Sequence, residues 1–102
     1  MIAQVELLTR FLRPDYPNDQ ELSGKVEKAL RILENELSDR CRSLSKMTFG
    51  GKKTFMTEIK DDKYSDCYVQ WFSKNVDPKE WIDHLSTEKL AGYIQNIINK
   101  GV

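Results

Sequence analysis

A mainly α, single-domain protein, a small helical bundle built round one long helix, is the fold class this sequence predicts, and three observations predict it. Between Leu22 and Leu44 apolar residues recur at spacings of three and four, the period of one helix face. Two shorter stretches, near residues 2–13 and 87–99, repeat that period. Helix-start residues stand before three of the apolar runs, at Asn18, at Asp77-Pro78 and at Ser86-Thr87. A chain of 102 residues, 39% hydrophobic and 31% charged, has the size and composition of one domain, 1–102, with a heavily solvated surface.

Taken in order, residues 2–13 place Val5, Leu8 and Leu12 on one stripe, with Leu7 and Phe11 beside it. Pro14 ends that helix, and Pro17 keeps the link extended. Asn18 is a good N-cap, with Glu21 placed three residues on to reach back to the freed amides. The long helix then runs over 19–44, carrying Leu22, Val26, Leu30, Leu33, Leu37, Cys41 and Leu44 on its inner side. Its outer side holds Lys25, Glu27, Lys28, Arg31, Glu34 and Glu36, with Glu27 and Arg31 at the favourable i, i+4 spacing. At 1.5 Å per residue such a rod is about 39 Å long, enough to project past a small core or to pack on another copy.

Residues 46–63 change character. Gly50-Gly51 interrupts helix formation, Lys52-Lys53 is hydrophilic, and Thr48-Phe49 and Thr54-Phe55-Met56-Thr57 favour β structure, so a long loop or a short hairpin is expected there. In 64–76, Tyr64, Cys67, Tyr68, Trp71 and Phe72 fit one helix face, although Cys67, Val69 and Trp71 also alternate as a strand would. Helix is the better fit, and Trp71 and Phe72 are expected in the core. Asp77-Pro78-Lys79-Glu80 starts a short helix over 78–85. Ser86 or Thr87 caps the last helix, 87–99, with Leu90, Tyr93, Ile94, Ile97 and Ile98 inward and Gly101 as its stop.

Charge excludes several functions. Sixteen basic residues balance sixteen acidic ones; residues 1–45 hold seven against eight and residues 46–102 nine against eight. A nucleic-acid binder shows a basic excess, and a mimic of nucleic acid the reverse. The start Met1-Ile2-Ala3-Gln4 meets Glu6 before any sustained apolar run, so neither signal peptide nor membrane span is expected, and a cytoplasmic setting with reduced thiols fits.

The chemical motifs are thin. Glu58-Ile59-Lys60 matches the Glu-x-Lys of metal-dependent nucleases, where the carboxylate holds Mg²⁺ and the lysine orients water. That chemistry needs a second acid from a neighbouring strand, which Met47-Thr48-Phe49 does not offer. Cys41, Cys67 and His84 lack the close pairs of a zinc site, and both cysteines sit on apolar stripes as small hydrophobes. Nothing orients Cys67 and His84 as a nucleophile pair. Gly50-Gly51-Lys52-Lys53-Thr54 lacks the spacing of a phosphate loop and reads as a solvated loop. The helices 78–85 and 87–99 loosely resemble a helix-turn-helix without its positive field.

The order of a short helix, Val5-Glu6-Leu7-Leu8-Thr9-Arg10-Phe11-Leu12, an acidic proline-bearing link, Pro14-Asp15-Tyr16-Pro17-Asn18-Asp19, and a long helix with Val26-Glu27-Lys28-Ala29-Leu30 resembles the small head–tail connector proteins of tailed bacteriophages. The resemblance covers the N-terminal half. It implies a ring between portal and tail, a virion setting and no catalytic residues. The leading expectation is accordingly a non-catalytic protein–protein interaction or assembly protein that forms homo-oligomers and uses no cofactor, metal or small-molecule substrate. Trp81, Lys52, Lys53, Phe49 and Phe55 are its interface candidates, and the 46–63 loop offers a secondary nucleic-acid contact. An inhibitor or immunity protein for a toxin or host enzyme, and a nuclease using Glu58 and Lys60, are the alternatives.

Overall fold

The computed structural model describes residues 2–15, 19–46 and 51–101, and every regular element within them is an α-helix. The order is α1 (Ile2–Leu12), α2 (Gln20–Ser45), α3 (Gly51–Ile59), α4 (Ser65–Lys74), α5 (Pro78–Asp83) and α6 (Thr87–Asn99). The mainly α class is therefore what the chain adopts. None of these helices is long and apolar enough to cross a membrane.

The helices group into two compact units, Met1–Leu33 with Leu85–Val102, and Glu34–His84, with α2 contributing its first part to one and its second to the other. In the first unit α1 packs on α6. Leu8, Val26, Ala29, Leu30, Leu33, Leu90, Ala91, Ile94 and Ile97 are buried, which is the 3.6-residue periodicity of three helices turned inward. Thr9 is buried with them. Its hydroxyl donates to the Val5 carbonyl at 2.8 Å and lies 3.2 Å from Ser23 Oγ, so a polar atom enters the core with its hydrogen bonds made. Asn18 falls outside the described residues; the amide of Leu22 is taken instead by the Asp19 carboxylate at 3.1 Å. Arg13 holds the other oxygen of Asp19 at 2.8 Å. At the far end Ser86 accepts from the Lys89 amide and caps α6, as its position predicts.

The second unit closes on Leu37, Cys41, Leu44, Phe55, Ile59, Tyr64, Cys67, Tyr68, Trp81 and Ile82. Asp77 caps α5 by accepting from the Lys79 amide at 2.9 Å, and Pro78 occupies the first turn, where its missing N–H costs nothing. The helix reading of 64–76 holds in α4, which ends on Asn75 in the left-handed region at φ 59°. Asn75 and Val76 donate back to Trp71 and Gln70, closing the last turn.

The expected loop or hairpin at 46–63 is replaced over 51–59 by α3; residues 47–50 lie outside the described residues. Gly51 takes a positive φ of 82°, and the helix proceeds from it. Phe55 and Ile59, four apart, are each 1% exposed. Burying both on one side requires helical spacing, and that outweighs the weak β preference of threonine and phenylalanine. Thr57 turns its hydroxyl back on the Lys53 carbonyl at 2.9 Å, which satisfies it within the helix.

Candidate functional site

Of the residues expected at an interface, the structure places two inside. Trp81 is 4% exposed, and its indole N–H donates to Asp66 Oδ2 at 3.0 Å. The large ring supplies core area while its one polar atom reaches a carboxylate at the surface, so the residue expected at a partner surface is a core residue. Phe55 is likewise buried, stacked on Phe72 with ring centroids 4.3 Å apart and planes 17° from parallel, and 6.2 Å from the ring of Trp71. Trp71 and Phe72 are themselves half-buried, forming the outer layer of this aromatic cluster. Lys53 is exposed on the first turn of α3. The side chain of Lys52 and all of Phe49 lie outside the described residues. The structure therefore does not bring the five together as one surface.

The nuclease pattern loses its context. Glu58 and Ile59 end a helix, Ile59 points into the core, and Lys60 is exposed in the turn that follows. Glu58 Oε2 is held by Arg40 Nη2 at 3.1 Å, and Arg40 Nε also faces Asp62 Oδ2 at 3.8 Å. A guanidinium between two carboxylates joins α2 to the end of α3, a positioning role that the sequence spacing of 40, 58 and 62 does not reveal.

Cys41 and Cys67 are buried and free. Burial pushes the Cys41 thiol up to about 11 and the Cys67 thiol up to about 12, and in each case nearby acids add to the effect. A thiol so placed is held in its protonated form, while the thiolate is the nucleophile and metal ligand. His84 is exposed at the end of α5, and among the described residues no group of three His, Cys, Asp or Glu side chains is placed to hold a metal ion. Burial also raises Tyr68.

An exposed apolar pair lies on α1. Leu7 is 52% and Phe11 48% exposed, one turn apart, while Leu8 and Thr9 beside them are fully buried. Met56 on α3 is also exposed. The signal in the sequence is that α1 carries apolar residues on two sides, more than one stripe requires. The inward slot of that helix goes to Thr9, whose hydroxyl finds partners, and this turns Leu7 and Phe11 outward. Glu6 and Arg10, also one turn apart, flank the apolar pair and are exposed. On the same unit α6 bears a shallow groove lined by Ser86, Glu88, Lys89, Gly92, Tyr93 and Asn96. Set against protein-family models, curated proteins and solved structures, the chain finds no match.

Proposed function

We propose that this chain is a non-catalytic assembly protein that works by binding another protein surface, and that its most specific form is a subunit of a head–tail connector ring of a tailed bacteriophage. The observation that carries the reading is the exposed pair Leu7 and Phe11 on α1. Covering a half-exposed leucine or phenylalanine is worth about 1 kcal/mol each, and a pair one turn apart forms the kind of anchor a protein surface engages. The pair falls within Val5–Leu12, the stretch on which the resemblance to connector proteins begins. The sequence of a short helix, a link and a 26-residue helix is the arrangement that resemblance implies.

Native mass spectrometry and sedimentation over a wide concentration range test this directly. Discrete multi-copy species are expected for the wild type, with a shift toward monomer in the Leu7→Glu, Phe11→Glu double variant and no loss of helicity, since neither side chain is part of the core. A strict monomer at the highest concentration, with wild type and variant indistinguishable, overturns the reading.

A further inference from the structure

The exposed α1 pair needs a surface to cover it, and the same unit carries one. The groove on α6, about 570 Å³, has in its lining Gly92, which is exposed in mid-helix and whose added Cβ would meet nothing within 4 Å. No contact within the chain among the described residues calls for glycine there, and glycine weakens a helix relative to alanine. The bare backbone leaves a notch beside the half-buried ring of Tyr93, open to an apolar side chain. Charges match as well. Glu6 and Arg10 border the apolar pair on α1, and Lys89 and Glu88 border the notch on α6. None of the four belongs to an ion pair among the described residues.

We infer that Leu7 and Phe11 of one copy dock in the α6 groove at Gly92 of a second copy, with Glu6 against Lys89 and Arg10 against Glu88. The inference rests on the assembly reading and deepens it by naming the occupant. Because α1 of one copy meets α6 of another, the contact takes one of two forms, reciprocal about a two-fold axis or repeated head-to-tail. The reciprocal form stops at two copies, as an α1-to-α1 contact would, whereas head-to-tail repetition closes into a ring or runs on as a filament. Two half-exposed side chains are small against the roughly 1,200–2,000 Å² buried in a stable pairwise interface. Single contacts are therefore weak.

The test uses two variants of the full chain. Gln4→Cys, one turn before Leu7, and Asn96→Cys, at the groove, are mixed with a short bismaleimide; Cys41 and Cys67 are buried and leave the introduced thiols as the reactive ones. The mixed pair is expected to cross-link in large excess over either variant alone. Gly92→Phe, whose Cβ meets nothing within 4 Å and whose ring occupies the notch, is expected to raise the Kd of self-association on the order of 30-fold with unchanged circular dichroism. Preferential cross-linking of the α1 variant to itself overturns the α1-to-α6 contact. So does self-association that Leu7→Glu, Phe11→Glu abolishes but Gly92→Phe leaves intact, and in that case the assembly reading stands. Absence of any self-association in the wild type removes both.

Discussion

At the scale of residues, burial sets the chemistry of the groups that looked most reactive. Cys41 and Cys67 were legible as small hydrophobes because each falls on an apolar stripe, and their thiols are raised to about 11 and about 12 mainly by loss of solvent. Both are expected to be silent toward a thiol-reactive dye at pH 8 in the native protein, and both to react once guanidinium unfolds it. Trp81 was not legible in the same way, since a tryptophan near a helix start is equally suited to a surface or a core. The contacts of its indole decide. Trp81→Phe keeps most of the ring but loses the hydrogen bond to Asp66, an expected loss of about 1 kcal/mol in urea unfolding. Trp81→Ala also leaves a cavity, an expected loss of about 3–5 kcal/mol. Asp19 supplies a pH-dependent term. The Leu22 amide, then the Arg13 guanidinium, hold its carboxyl below the ordinary aspartate value. A depressed carboxyl stabilises the fold above its unfolded pKa, and that contribution disappears as pH falls through the lower folded value. The stability gap between wild type and Asp19→Ala is thus expected to be full above about pH 4 and to close in more acidic solution, as read from thermal melts.

At the scale of elements, capping and periodicity were readable and context was not. Asp77 and Ser86 act as the N-caps their positions suggest, because a cap is a local hydrogen bond between a side chain and an amide two or three residues on. The helix chosen for 64–76 is α4, since five residues on one face outweigh one alternating valine. The stretch 51–59 misled because the glycine pair Gly50-Gly51 at its start and its threonines speak of turns and strands, while the buried spacing of Phe55 and Ile59 acts only once α4 is beside it to receive Phe55. Two substitutions test element ends and interiors. Asn75 closes α4 at φ 59°, a backbone conformation that penalises a Cβ without a compensating polar group; Asn75→Ala is expected to cost about 1 kcal/mol and Asn75→Gly little, by urea unfolding. Gly24 lies exposed in the interior of α2, where an added Cβ meets nothing within 4 Å, so Gly24→Ala is expected to stabilise the protein by roughly 0.5–1 kcal/mol.

At the scale of the whole molecule, the balance of sixteen basic against sixteen acidic residues leaves short-range contacts to govern association. Assembly that engages only the folded chain links stability to concentration by mass action. The melting temperature is therefore expected to rise with protein concentration for the wild type and to be flat for Leu7→Glu, Phe11→Glu, by differential scanning calorimetry across a dilution series. A flat response in both would place the melting transition outside any association equilibrium and count against the assembly reading.

The sequence by itself determined the helical class, the span of α2 and the caps of α5 and α6, because each follows from spacing along one chain: a side chain three or four residues on, or an amide two or three residues on. Only the tertiary structure decided that 51–59 is helical, that Trp81 and Phe55 are inside, that Arg40 sits between Glu58 and Asp62, and that Leu7 and Phe11 face outward. Those depend on which side of each element another element covers. Burial is a property of the packed pair, and periodicity within one helix does not specify it.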